Sequence, residues 1–385
     1  MFLINGKYLD AGFRLVQGDI EIDGGKILRT GENLPRKEDD MAVDCGGYTI
    51  VPGFVDVHIH GCAGADIGDG TVEAVADMAR FLLAHGVTSF CPTTATISCK
   101  DIEAALLAAK AAHDAPIEGG AKVVGVNMEG PFFSHARKGA QNEAYILPPD
   151  FDLFQKWYNL SQGLVRLVDV ATEQPGGEDF VKQAKALCTV SIAHTTAQYE
   201  DAKAAFDWGV THATHLFNAM NGLHHRKPGV VGAVLEDQRV RAELICDGEH
   251  IHPAVLRLAF RLLGDRALIV SDSLRANGMP EGKEYDLGGQ IVSISGGKCV
   301  LADGTIAGSV TNLHQEVKNL VGWGVPFAQA AKAASLIPAQ AIGLDKEIGS
   351  IEPGKAADFV VLDENLDIVS VWVSKGDSTQ IVAQA

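Results

Sequence analysis

From Gly53 onward, short apolar runs alternate with amphipathic segments. The runs are GFVDVHIH (53–60), VTSFCPT (87–93), KVVGVNMEG (122–130), VRLVDVAT (165–172), TVSIAHT (189–195), THATHLFN (211–218), RAELICDG (241–248) and ALIVSDS (267–273). Their length and β-branched character fit buried strands. Between them lie EAVADMARFLLAHG, KDIEAALLAAKAAH, DFVKQAKALC, YEDAKAAFDWG and PAVLRLAFRLLG, whose patterns read as helices. Eight strands alternating with helices predict an α/β chain built as a (β/α)8 TIM-like barrel, whose usual size is about 250 residues. A doubly wound open sheet is the competing arrangement. No GxGxxG follows the first strand, which counts against it.

The two ends follow another pattern. Residues 1–50 contain short strand-like segments, with a D-G-G turn at 23–25 that signals a hairpin. The last stretch, GSIEPGKAADFVVLDENLDIVSVWVSKG, returns to strand character. Residues 1–51 and 346–385 are therefore expected to form one small, discontinuous β-sandwich domain. The barrel, 52–345, would be inserted between its halves. After residue 280, EYDLGGQIVSISGGKCVLADGTIAGS reads as a β excursion beyond the eighth strand, followed by helices near 311–322 and 326–342.

Composition narrows the function class. Of 385 residues, 46% are hydrophobic and 21% charged, as in an ordinary soluble globular protein. No apolar run approaches the roughly 18 residues of a membrane span, and residues 1–20 do not read as a signal peptide. The seven cysteines are scattered and form no CxxC pair, so a reducing, cytoplasmic location is expected. The net charge of −17 argues against nucleic acid and anionic membranes as partners. It leaves an anionic small substrate open, since a local group of cations and backbone N–H groups can bind one phosphate.

The candidate chemistry lies at the ends of the runs. His58 and His60 are two residues apart, so on a strand they point to one face. Two imidazoles aimed at one point make half of a metal site. An isolated HxH is more often a pair of satisfied histidines at a loop edge. The other runs decide between these readings: Glu129, His194, His215 with Asn218, Asp247 with His250, and Asp272 recur at the same end of separate strands. Barrel active sites form at that end. The donor types suit zinc, iron or manganese, and the ion would acidify a water and polarise a substrate oxygen. Asp272 suits general base and then general acid work. His212, three residues before His215, is expected to face the other side of its strand and play a supporting role. Arg226, with His225 and Lys227 in NGLHHRKPG, is a basic group suited to an anion. Cys62, just past HIHG, reads as a packed thiol.

The chain resembles the amidohydrolase superfamily along nearly its whole length. PGFVDVHIHG resembles the first-strand metal motif, and GSIEPGKAADFVVLD the C-terminal signature. NMEGPFF, AHTTAQYEDAKAAFDWGVTHATHLFNAM, DGEHIHP and VSDSLRANGMPEG resemble more narrowly the branch that deacetylates amino-sugar phosphates. The resemblance implies metal-dependent hydrolysis of N-acetyl-D-glucosamine 6-phosphate to D-glucosamine 6-phosphate and acetate. It implies a principal divalent metal on Glu129, His194 and His215, and a second on His58 and His60. One or two ions per subunit are expected, zinc first, with iron, manganese or cobalt as alternatives. The superfamily's bridging carboxylated lysine has no counterpart, and Glu129 takes its place. Asp272 would be the acid/base. Ala140, Gln141, Asn218, Ala219, Arg226, His250 and Ala307 would contact the sugar phosphate. Gln141 stands where several members have His, and an amide cannot carry the positive charge of an imidazolium. In similar enzymes the Arg-bearing loop can come from a neighbouring subunit, so a homodimer is expected. The competing readings are the galactosamine epimer, another cyclic amide, and an inactive binding or scaffold homologue, for which eroded ligands would be expected.

Overall fold

The computed structural model describes residues 1–376 and 378–383; residue 377 and residues 384–385 of the expected small domain lie outside them. Eight parallel strands form the barrel: β1 (Phe54–Ile59), β2 (Val87–Thr94), β3 (Lys122–Val123, resuming as Val126–Met128), β4 (Val165–Val170), β5 (Thr189–Ile192), β6 (His212–Ala213), β7 (Arg241–Leu244) and β8 (Ala267–Ile269). Neighbours pair in register, for example Asp169 with Ser191 and Glu243 with Leu268. The ring closes just past β8, where Ser273 bridges Ile59 in parallel and the Asp272 N–H donates to the His58 carbonyl at 2.9 Å. Closure therefore occurs at the residues that carry the candidate chemistry.

Helices between the strands begin at side-chain caps. Thr71 accepts from the Ala74 N–H ahead of Val72–Ala84, and Ser98 from Asp101 ahead of Cys99–Asp114. Pro253 opens Pro253–Leu263, where its missing N–H costs nothing. Two helices did not stand out in the sequence. Phe151–Leu160 buries only Phe154 and Trp157, a narrow stripe. Gly229–Glu236 reads GVVGAVLE, whose valines favour strands, and its packing overrides that preference. The segment expected as one helix over 326–342 is two, Phe327–Ala333 and Leu336–Ala341. Ser335 breaks it with φ −137°, and Pro338 has no N–H to offer the Ala334 carbonyl.

Inside the barrel, Val55, Val57, Leu167, Ile245 and Leu268 meet from different strands. Phe54 and Ile59 belong instead to the cluster between strands and helices. The odd positions of β1 thus change face between Val57 and Ile59, where its register with β2 shifts. This bulge turns His58 and His60 toward the mouth, which strict alternation from Val55 would not do.

Both chain ends join one eight-stranded sheet, which runs from Ser378–Ala383 through Ile368–Lys375, Phe359–Leu362 and Thr49–Pro52 to Phe2–Leu9, Leu15–Asp23 and Lys26–Gly31, with Ala42–Asp44 beside Phe2–Leu9. The D-G-G hairpin is present, with Gly24 and Gly25 both at positive φ. A separate three-stranded antiparallel sheet, Glu284–Leu287, Gln290–Ser295 and Lys298–Leu301, follows the barrel. No helix among the described residues is long and apolar enough to cross a membrane.

Candidate active site at the barrel mouth

Two groups of side chains that could hold a metal ion stand at the C-terminal ends of the strands: Glu129, His194 and His215 in one, His58, His60 and Asp272 in the other. Within each group the donor atoms lie within 4.8 Å of one another. All six residues are buried. Glu129 joins the groups. Its Oε1 is 3.0 Å from both His194 Nε2 and His215 Nε2, and its Oε2 is 3.1 Å from His60 Nε2. Asp272 Oδ1 is 3.5 Å from His58 Nε2 and 3.4 Å from His60 Nε2.

The backbone at these positions is unusual. His194, His215 and Asp272 have φ of 43°, 29° and 44°, the left-handed region that L-residues rarely occupy. Each lies just beyond its strand, and the chain turns there to aim the side chain inward. Such strain persists where surrounding structure fixes it, and it concentrates at functional sites.

Hydrogen bonds set the tautomers. His194 Nδ1 lies 2.9 Å from the Arg137 carbonyl and His60 Nδ1 2.9 Å from the Thr93 carbonyl. A carbonyl only accepts, so each Nδ1 carries the proton and a neutral ring turns its Nε2 lone pair to the centre. His58 Nδ1 donates likewise to Glu243 Oε2 at 2.9 Å, and its buried Nε2 has no hydrogen-bond partner. Lone pairs facing carboxylate oxygens at 3.0–3.1 Å repel unless a cation or a proton lies between them. The titration tendencies say the same. Burial alone would lower the His60 pKa, but Asp272 and Glu129 carry it up to about 10. Burial would raise Glu129, yet hydrogen bonds from His194, His215 and His60 hold it well below the usual carboxylate range. Asp272 is likewise held low, against its burial, by His58 and His60. Groups that draw protons this strongly draw a divalent ion in the same way, so the donor set fits a metal.

Glu243 was not singled out by the sequence, and it organises the floor of the site. Its carboxylate is fully buried. It accepts from His58 Nδ1 (2.9 Å), His212 Nε2 (2.9 Å) and the His215 backbone N–H (3.1 Å). The attraction of His58 and the hydrogen bonds from His212 and His58 hold its carboxyl well below the usual carboxylate range in spite of that burial. His212 thus supports the site as expected, but by another geometry. β6 ends at Ala213, so strand alternation does not relate His212 to His215.

Above these groups opens a cavity of about 180 Å³, lined by His60, Glu129, His194, His215 and Asp272 together with Ala140, Gln141, Asn218, Ala219 and His250. Its remaining wall includes Gly139, Leu274, Leu287, Thr305, Ile306 and Gly308. Leu287 comes from the three-stranded sheet beyond the barrel. Gln141 Nε2 donates to Glu129 Oε2 at 2.5 Å. His250 Nδ1 pairs with Asp247 Oδ2 at 2.7 Å, which holds the ring at the rim. Two expected contacts do not line the cavity. Ala307 is buried in the cluster beneath the sheet, between lining residues Ile306 and Gly308. Arg226 is exposed on its loop and pairs with His225 Nε2 at 2.7 Å. Cys62 is buried, its Sγ faces the Met78 carbonyl, and it belongs to neither group.

Residues 49–383 match the model of a family described as "Amidohydrolase family". The chain is 37% identical over 357 residues to an N-acetylglucosamine-6-phosphate deacetylase from Vibrio furnissii, covering 92% of this chain and 89% of the relative. It is 36% identical over 328 residues to an N-acetylgalactosamine-6-phosphate deacetylase from Escherichia coli O157:H7, covering 84% and 86%. Among solved structures it is similar to a mutant N-acetyl-D-glucosamine-6-phosphate deacetylase from Mycobacterium smegmatis in complex with N-acetyl-D-glucosamine-6-phosphate, with TM-score 0.89, 30% identity and 98% of each chain covered.

Proposed function

The chain belongs to the amidohydrolase family, and from that premise we propose that it hydrolyses N-acetyl-D-glucosamine 6-phosphate to D-glucosamine 6-phosphate and acetate. The observation that carries this reading is the convergence of Glu129, His194, His215, His58, His60 and Asp272 at the ends of the barrel strands, five of them lining the cavity and His58 buried beside them, with none of the six replaced by an inert residue. An inactive scaffold would not be expected to keep all six.

The family is metal-dependent, and Glu129, His194 and His215 are proposed to hold the principal divalent ion, zinc first. His58 and His60 are proposed to hold a second beside Asp272. When bound, the ion supplies Lewis acidity toward a water and the amide carbonyl. Asp272 does the proton transfers. It is ionised at neutral pH because His58 and His60 outweigh its burial. It takes a proton from the attacking water as the new C–O bond forms. It then gives that proton to the amide nitrogen as the C–N bond breaks, releasing acetate and the amine. His194 and His60, fixed by the Arg137 and Thr93 carbonyls, keep their Nε2 atoms aimed without reorganisation.

The phosphate and sugar are proposed to lie against Ala140, Gln141, Asn218, Ala219, Arg226, His250 and Ala307. Binding energy gained there, away from the scissile bond, can be spent on orienting the amide. Arg226 is exposed and absent from its own cavity wall, which supports a homodimer whose basic loop completes the neighbouring subunit's phosphate end. The seven cysteines are all free, which supports a reducing, cytoplasmic location. Residues 1–51 with 346–385 are proposed as one domain and 52–345 as the catalytic one. Asp272→Asn tests the mechanism: turnover is lost while the metal stays bound, and activity near that of the unaltered enzyme would remove Asp272 from the acid/base role.

A further inference from the structure

Glu129 sits one residue past β3, on a flexible side chain, yet its two oxygens must face different partners. We infer that Gln141 is a positioning residue that locks this carboxylate in its bridging orientation. The inference rests on the proposed reading of Glu129 as a metal ligand.

The orientation of the Gln141 amide is fixed by its surroundings. The Thr96 backbone N–H lies 2.7 Å from Gln141 Oε1 and can only donate, so that oxygen is the acceptor and Nε2 the donor. Nε2 then gives its proton to Glu129 Oε2 at 2.5 Å. The other carboxylate oxygen, Oε1, is left to His194 and His215. Thr96 closes the loop from the far side. A Cβ on Gly130 would lie 2.3 Å from Thr96 Oγ1 and 3.2 Å from its Cα, so the chain leaving Glu129 passes directly over the residue that holds Gln141. Carboxylate, amide and backbone form one rigid bracket.

The bracket is clamped from above. Gln290 Nε2, in the sheet beyond the barrel, donates to the Ala140 carbonyl at 3.0 Å and the Gln141 carbonyl at 3.2 Å, and Asn142 Nδ2 donates to the Gly288 carbonyl at 3.1 Å. The same sheet that walls the cavity therefore seats the segment that holds Glu129. Gln141 is 8% exposed, so its amide serves this buried bond before any substrate arrives. A neutral amide fits the position because it donates to Glu129 without competing as a cation for the carboxylate.

The test is zinc release from the zinc-loaded full chain to a chromogenic chelator, measured beside steady-state kinetics. Gln141→Met keeps the length and removes the donor. Gln141→Asn keeps the amide but is one methylene too short to span Thr96 and Glu129. Either folded variant is expected to hold zinc about 10–100-fold less tightly, with a fall in kcat beyond any rise in KM from the lost substrate contact. Zinc held as tightly as in the unaltered chain, with KM raised, would overturn the inference and leave Gln141 as a substrate contact only. Zinc release needs no substrate. A chain that loses zinc on Gln141 substitution yet never deacetylates the sugar phosphate would sink the proposed reaction and leave this inference standing.

Discussion

Replacing Glu243 examines the floor of the site without touching any proposed ligand. Glu243→Ala strands three buried donors at once: His58 Nδ1–H, the His215 backbone N–H and His212 Nε2–H. An unsatisfied buried donor costs roughly 1–3 kcal/mol, so three should cost about 3 kcal/mol or more before any cavity is counted. Against a typical total of about 5–15 kcal/mol, that is a severe defect. Glu243→Gln behaves differently. Its oxygen can keep the two donors now on Oε2, and its NH2 group then faces His212 Nε2. The His212 ring can answer by moving its proton to Nδ1, which has no partner at present. The stability loss should therefore stay near 1–2 kcal/mol, the cost of one unpaired N–H. The charge behind His58 is gone, however, and zinc affinity should fall about 10–100-fold. Urea unfolding of the metal-free chains and zinc titration separate the two effects. An alanine variant within about 1 kcal/mol of the parent, or a glutamine variant with unchanged zinc affinity, would refute the role given to Glu243.

Other outcomes follow from single residues. Arg226→Ala should raise KM for the sugar phosphate and leave kcat nearly unaltered, and an unchanged KM removes Arg226 from the phosphate site. Glu316 is fully buried with both carboxyl oxygens unpartnered, and burial, aided by Asp247, Asp56 and Asp272, pushes its pKa well up. Between the unfolded and folded pKa values the unfolded chain is ionised and the folded chain is not, so stability falls as pH rises, by about 1.4 kcal/mol per pH unit. Glu316→Gln lacks this loss, so its advantage in urea unfolding should be larger at pH 8 than at pH 5; an equal difference at both would contradict the assignment. Cys45 and Cys299 are buried, and burial pushes both thiols up to about 11, whereas Cys99 is exposed. A thiol reagent at neutral pH should label Cys99 first and reach those two only on unfolding.

Much of the fold was legible because barrel strands are buried on both faces and read as continuous apolar runs. All eight runs contain a strand, though β6 and β8 are far shorter than their runs. The reason is local: His215 and Asp272 leave the strand conformation to aim inward, which composition does not reveal. The ligand candidates were legible because they terminate the runs. Glu243 was not, since it lies inside its run and gains meaning from distant partners, His58 185 positions away and His212 and the His215 N–H about 30 away. The cavity wall from Leu287 and Ile306 was likewise hidden, because it depends on how the late sheet folds back over the barrel. The β1 bulge shows the limit of alternation as a guide. The pairing of His58 with His60 on one face was correct, but which face they took was decided by the register shift against β2.

The most direct measurement of the reaction is acetate release by the zinc-loaded chain from N-acetyl-D-glucosamine 6-phosphate, beside its galactosamine epimer and the unphosphorylated sugar. Strong preference for the glucosamine phosphate is the expected result, and it would support the chemistry and the phosphate site together. Release from the epimer alone would contradict the substrate, and release from none of the three would contradict the proposed function.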